Sequence, residues 1–153
     1  MLITNWQKFT GIFIYMLPWS DALPFGRNLF LQFPFLQYLA IPALPIIIIE
    51  RIIPFAGLII FIALFAGVIR NQNIPYFIRY NTLQALLIDI CLILINYAFE
   101  ILIRPLDNSL IFQTLSSTCL IAMLTLLIFV IIECLQGKEP DLPGISDAVR
   151  MQL

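Results

Sequence analysis

The chain has 153 residues, 61% of them apolar and 11% charged, with a mean hydropathy of +1.00 and a net charge of −1. At that composition a soluble domain of this length lacks the polar surface to cover itself, so the sequence reads as an integral membrane protein of the all-α class. Near-neutral charge offers no nucleic-acid footprint, and the lack of histidine removes the commonest general base and metal ligand.

Residues 1–28 are apolar but broken. Trp6, Phe9, Phe13 and Met16 recur at spacings of three and four, which places them on one face of a short helix. From Gln7 to Leu17 such a helix rises only about 16 Å, too little to cross a bilayer, so an interfacial helix ending at Leu17-Pro18 is expected.

Four long apolar runs follow, at about 29–49, 52–69, 82–103 and 110–134, the first of them without a charge, and make residues 29–134 a four-helix transmembrane domain. Pro42 and Pro45 predict a kink in the first and Glu50-Arg51 a polar corner after it. Ala56, Ala63 and Gly67 line up as small residues along the second, the kind of strip that lets helices approach closely in lipid. Arg70 to Tyr80 reads as a loop, or a short helix begun at Pro75. Arg104 to Asn108 reads as the turn after the third run. Thr114, Thr118 and Thr125 form a weaker polar face on the fourth, and 135–153 is a polar, Pro/Gly-punctuated tail with a helical turn around Asp147 to Met151.

The third run carries acids in its interior. Asp89, Asn96 and Glu100 are spaced by seven and four, so at about 100° per residue they fall within about 40° of one another and form one polar stripe. A carboxylate at hydrocarbon depth costs several kcal/mol, so Asp89 must face protein or water. It is read either as interhelical glue, paired with Arg70 or Arg79, or as the lining of a path. Glu100 is expected near the membrane surface, solvated or paired with Arg104 at i+4. Arg70 and Arg79 suit lipid phosphates or a partner subunit, while Tyr76, Phe77 and Tyr80 suit an interfacial aromatic belt. Cys91, Cys119 and Cys134 lack CxxC spacing and read as buried small hydrophobes. Ser116-Ser117 has no histidine to activate it, and the sequence offers no catalytic pair, cofactor loop or metal cluster. No enzyme and no cofactor are expected.

Basic residues set the orientation. With four spans, Lys8, Arg27, Arg70, Arg79, Lys138 and Arg150 share one side with both termini, against Arg51 and Arg104 on the other.

Arg70-Asn71, Phe77-Ile78-Arg79-Tyr80-Asn81, Gln84-Ala85 and Leu87-Ile88-Asp89-Ile90 resemble the signature of the Tic-twenty family, the small polytopic subunit of the translocon at the inner envelope of chloroplasts. Tyr15-Met16-Leu17-Pro18-Trp19-Ser20-Asp21 and Ile145-Ser146-Asp147-Ala148-Val149 fit the same family in the same order. The resemblance implies a subunit of a translocon that imports precursor proteins across the inner chloroplast envelope, with other translocon subunits, the precursor polypeptide and membrane lipid as partners and no nucleic acid. It puts both termini toward the stroma and singles out Arg70, Arg79, Asn81, Gln84 and Asp89, with Asn96 and Glu100 of the stripe, as structural or path-lining candidates. Other classes are a small-solute transporter or channel, or a purely structural assembly subunit. The lack of an Arg/Ser-rich transit peptide and 28 isoleucines against 10 alanines point to a plastid-encoded member, the alternative being the cyanobacterial plasma membrane.

Overall fold

From the N-terminus, helices Asn5–Ile14 (α1) and Met16–Ala22 (α2) are separated by a single residue, Tyr15, and a 3-10 turn, Leu23–Gly26, leads into Arg27–Gln32 (α3). The computed structural model describes residues 2–103, 105 and 110–153. The helix does not end at Leu17-Pro18. Pro18 falls in the first turn of α2, where an amide hydrogen has no intrahelical acceptor to lose. Nor is the segment a separate interfacial element. Met16 to Ser20 are buried, Trp19 and Tyr15 almost completely, while Trp6, Phe9 and Phe13 form the outward face.

What buries α1 and α2 is the long helix Tyr76–Ala98 (α6), reached after Leu44–Ile52 (α4) and Ala56–Leu64 (α5). The two stretches run in parallel. Gly11 lies against Phe77 and Asn81, Tyr15 meets Asn81 and Gln84, and the Phe25 ring packs tilted against Phe99 with centroids 5.3 Å apart. The N-terminal segment therefore climbs the whole bundle and delivers Arg27 to the end opposite Arg79, where it shares a cavity with Asn96 and Glu100. Assigning Arg27 to the terminal side assumed a segment lying flat, and the parallel run along α6 corrects that. At the other end meet Leu2 to Thr4, Lys8, the 70–75 loop, Lys138 and Arg150, so both ends of the chain lie beside the middle loop.

Residues 33–69 depart most from the expected pair of spans. Phe33 is extended (φ −127°, ψ 81°), as the residue before a proline tends to be, and Pro34–Ala43 then winds as a 3-10 helix. The kink expected at Pro42 and Pro45 is the change of winding from this run to α4. Trp19 Nε1 donates to the Leu39 carbonyl at 2.9 Å and pins the run to α2. Glu50 and Arg51 sit inside α4, so they are not the corner. The corner is Ile53–Phe55, with Phe55 left-handed (φ 59°) before α5. α5 continues as a wider π turn, Phe65–Ile69. Ala56–Ile69 is apolar but shorter than a membrane crossing, whereas Pro34–Ile52, Tyr76–Ile103 and Leu110–Leu135 are long and apolar enough. Ala63 and Gly67 are exposed while Ala56 is buried, so of the small-residue strip only Ala56 is packed inside this chain.

α6 passes into a π turn, Phe99–Ile103. The turn expected at 104–108, apart from Pro105, and the Glu100–Arg104 pair lie outside the described residues. The last long helix, Leu110–Leu135 (α7), has no interior glycine or proline and buries Ser116, Leu120, Met123, Leu127, Val130 and Cys134, a repeat of four and three that forms one stripe. Thr118 and Thr125 donate to the carbonyls four residues back, so the threonine face is satisfied within its own helix. Of the three cysteines only Cys134 is buried, and Cys91 faces outward. Gly137 ends α7 at φ 74°, with its amide on Cys134 O and that of Lys138 on Glu133 O, a glycine-dependent stop that throws the tail back onto the bundle. The tail closes with helix Ile145–Gln152 (α8).

Close packing of the N-terminal segment against α7 depends on Gly26, where an added Cβ would stand 2.6 Å from Leu120 Cδ2 and 2.9 Å from the Phe30 ring. Gly26→Val is expected to lower the thermal midpoint in detergent by an amount corresponding to about 1–3 kcal/mol of overpacking. Gly67→Val, with no neighbour within 4 Å, should leave it nearly unchanged; tryptophan fluorescence during heating compares the two.

Candidate functional site

The first half of α6 is buried on nearly every side, and its polar residues there are among the best satisfied in the molecule. Tyr15 Oη lies 3.1 Å from both Asn81 Oδ1 and Gln84 Oε1 and shares its proton between them. Asn81 Nδ2 donates to the Phe77 carbonyl at 2.8 Å, and Cys134 Sγ donates to Asn81 Oδ1 at 3.4 Å. Gln84 Nε2 reaches the Pro140 carbonyl and Ser146 Oγ, both at 3.2 Å. Pro140 O also accepts from Tyr80 Oη at 3.0 Å and from Ser146 Oγ at 3.2 Å, while Ser146 Oγ accepts from the Leu142 amide at 2.7 Å. Arg150 covers the Tyr80 ring at 5.8 Å and pairs with Asp141 and Asp147.

One knot thus joins the break between α1 and α2, the start of α6, the end of α7 and the tail. Tyr15, Tyr80, Asn81, Gln84 and Cys134 are inaccessible, so each lost bond would leave a polar atom without water to replace it. Asn81 and Gln84 were singled out from sequence, and the structure puts both at the centre. Tyr80 belongs to the knot and not to an interfacial belt, and Phe77 is covered by α1, so of that trio only Tyr76 is substantially exposed. Cys134 is buried as expected of a small hydrophobe, but its bond to Asn81 and the role of the Pro140 carbonyl went unanticipated. The α7 stripe marks Cys134 as an inward-facing residue but not as a hydrogen-bond donor, and nothing in the pattern marks Pro140, although Tyr15 and Ser146 lie inside the two outer motifs.

The remaining candidates separate. Arg79 Nε donates to the Ile69 carbonyl at 2.8 Å, closing the 70–75 loop, and Arg70 is exposed at the start of that loop. Inside the loop Asn71 Oδ1 accepts from the Asn73 amide at 3.0 Å, an Asx turn that sets up Pro75 and α6. Ten residues separate Arg79 from Asp89 on one helix, about 15 Å of rise, so they do not pair. Asp89 is 5% exposed and turns instead toward Asp21 and Glu50. The stripe also divides: Asn96 is half-buried and Glu100 exposed, both on the cavity of about 410 Å³ shared with Arg27, Asn28 and Ser116.

The knot makes a measurable claim about the tail. In a Cys91→Ser, Cys119→Ser background, Gln84→Leu is expected to cost about 1–3 kcal/mol, because it removes the one side chain that ties Tyr15 to the Pro140 carbonyl and Ser146, and to speed maleimide labelling of Cys134 by freeing the tail. Tyr80→Phe leaves Pro140 O its other two donors and should change labelling little.

The sequence model of the family described as "Chloroplast import apparatus Tic20-like" matches residues 4–149. A Tic20 family protein of Synechocystis sp. is 38% identical over 148 residues, which cover 96% of this chain and 92% of that protein. Protein TIC 20-v, chloroplastic, of Arabidopsis thaliana is 33% identical over 141 residues, covering 91% of this chain and 67% of that protein. The Tic20 family protein Ycf60 of Gracilaria tenuistipitata var. liui is 31% identical over 157 residues, covering 99% and 77%. Match and relatives extend over nearly the whole chain, from α1 to the tail that closes the knot, and the chain belongs to the Tic20 (Tic-twenty) family.

Proposed function

We propose that this chain is a membrane subunit of the translocon that imports precursor proteins across the inner chloroplast envelope. The observation that carries the reading is the family match over residues 4–149, which takes in every element of the buried knot. Three segments long and apolar enough to cross a bilayer agree with a membrane-embedded role. The end where both termini, the middle loop, Lys8, Arg70, Arg79, Lys138 and Arg150 meet faces the stroma under the positive-inside tendency.

The interior between α1, α2, α6 and α7 is filled by Tyr15, Trp19, Leu86 and Val130, each at most 1% exposed. A translocating polypeptide therefore passes beside this bundle, against a wall completed by further subunits or copies, and the outward faces of α4, α5 and the second half of α6 are the surfaces available to them. Among these, Ile93, Leu94 and Tyr97 of α6 are exposed.

In plastids carrying a tagged copy, a photoreactive residue at position 94 is expected to crosslink to translocon subunits, and to a precursor arrested part-way through import. Unimpaired precursor import in plastids depleted of the chain would overturn the reading. Crosslinks to subunits alone, with import still dependent on the chain, would make it an assembly subunit outside the path.

A further inference from the structure

Arg27 is a basic residue at the wrong end of the bundle. Arg79, Lys138 and Arg150 gather at the terminal end, as basic residues on the untranslocated side do. The run of α1 and α2 along α6 carries Arg27 to the opposite end, into the wall of the cavity of about 410 Å³. Among the described residues the ion pairs are those of Arg150 with Asp141 and Asp147, so no acid there neutralises Arg27, which is exposed. The rest of that wall is polar as well: Asn28, Asn96, Glu100 and Ser116.

An apolar groove of about 280 Å³ adjoins this cavity, lined by Leu29, Phe30, Phe33, Leu120, Ile121 and Leu124 among others. Asn28 and Leu29 are chain neighbours, yet one lines the cavity and the other the groove. The two meet at Gly26: Leu120 and the Phe30 ring close over it from the groove, while Phe25 and Arg27 beside it line the cavity. Depth orders them. The 26 residues of α7 rise about 39 Å against a hydrocarbon core of about 30 Å, so Ser116, about 9 Å from the start, stands near the headgroup boundary. Leu120 and Leu124 lie one and two turns deeper. Polar at the boundary and apolar beneath it is the profile of a lipid. A neighbouring helix seated there would have to bring an acid to Arg27 at the edge of the hydrocarbon, a cost that a lipid phosphate already at that depth does not carry.

We propose that the cavity and the groove are one site, and that it holds a glycerophospholipid of the leaflet at this end of the bundle. The phosphate sits on Arg27, whose guanidinium donates in a fork to two of its oxygens, with the Asn28 amide beside it. Hydroxyl or ammonium groups of the head beyond the phosphate donate to Asn96 and Glu100. One acyl chain lies in the groove against Leu29, Leu120 and Leu124. The site holds its lipid whatever complex the chain joins.

The chain carries its own reporter. Trp19 Nε1 donates at 2.9 Å to the carbonyl of Leu39, a residue of the groove, and the ring is only 1% exposed, so bulk lipid does not reach it. In a Trp6→Phe background Trp19 is the one tryptophan left. The full chain in dodecyl maltoside micelles is titrated with phosphatidylglycerol whose acyl chains are brominated, since bromine quenches an indole it approaches. The comparison lipid is digalactosyl diacylglycerol with the same brominated chains and no phosphate. Half-quenching is expected at an about tenfold lower mole fraction of the phospholipid, the effect of one charge-assisted contact, and Arg27→Gln should raise that fraction about tenfold. Arg51→Gln, which removes a basic residue of neither cavity nor groove, should leave it in place. Arg27 is exposed, so the Gln variant is expected to keep the thermal midpoint of its parent. Equal half-points for the two lipids, or an Arg27→Gln curve that overlays the parent's, overturns the proposal. Relief of quenching by excess inorganic phosphate overturns it too, because the cavity would then be a site for a soluble anion. In the native membrane a photoreactive residue at position 121 is expected to crosslink to lipid; crosslinks to protein alone would put a neighbouring helix in the groove and end the proposal.

Discussion

The Pro140 carbonyl, reached by Tyr80 and Gln84 from α6 and by Ser146 from the tail, is the point on which the arrangement of this chain depends. In water, apolar burial would hold such helices together. In lipid that driving force between helices is absent, because acyl chains are as apolar as leucine, and packing and polar contacts decide which helices meet. Most of the surface here is hydrophobic and non-specific. The knot is the directional part, and it selects one arrangement among the many that the apolar faces would tolerate.

A proline supplies that carbonyl for a physical reason. Pro140 has no amide hydrogen and a fixed φ, so it offers an acceptor in a stretch that forms no helix of its own. Gly137 turns the chain back and α8 begins five residues beyond Pro140, so the carbonyl is held between two short constraints and pointed at α6. Gln84 then links it to Tyr15, which occupies the single break between α1 and α2. The Tyr15 amide ends α1 on the Ile12 carbonyl and its own carbonyl accepts from Trp19 in α2, and the bond from its hydroxyl to α6 ties that junction to the bundle.

The long helices were legible in the sequence because each run is uniformly apolar and ends in polar or proline-containing turns. α7 begins and ends within a residue of its expected bounds, and α6 starts at the expected Pro75 signal. Hydropathy could not show that the N-terminal segment belongs to the bundle, since its average is diluted by Asn5, Gln7, Lys8 and Thr10 and its exposed face carries the aromatics Trp6, Phe9 and Phe13. Nor could it move the corner from Glu50-Arg51 to Ile53–Phe55, because that break is a backbone event at Phe55 within the apolar run that begins at Ile52. Candidate residues fared according to the range of the interaction. Asn81 and Gln84 were legible as polar residues in a recognisable motif, but their partners lie more than 50 positions away. Pairing Asp89 with Arg79 failed on helical rise, a local constraint that the sequence did contain.

The three stretches that carry the family resemblance, Tyr15 to Asp21, Arg70 to Ile90 and Ile145 to Val149, are far apart in the chain and meet in space. Tyr15, Tyr80, Asn81, Gln84 and Ser146 are bonded into one network, and Asp21 and Asp89 face each other one layer further along the same pair of helices. The two layers differ in how completely they are satisfied. The knot is closed, every donor reaching an acceptor in the same chain, and it needs nothing from outside. The acidic layer holds an acceptor with no donor at Asp89 Oδ1. Because the layers sit on the same two helices, the closed one holds the open one in place. The closed layer is thus what fixes the stretch of α6 that carries Asp89, a carboxylate the chain keeps buried with one oxygen unmet.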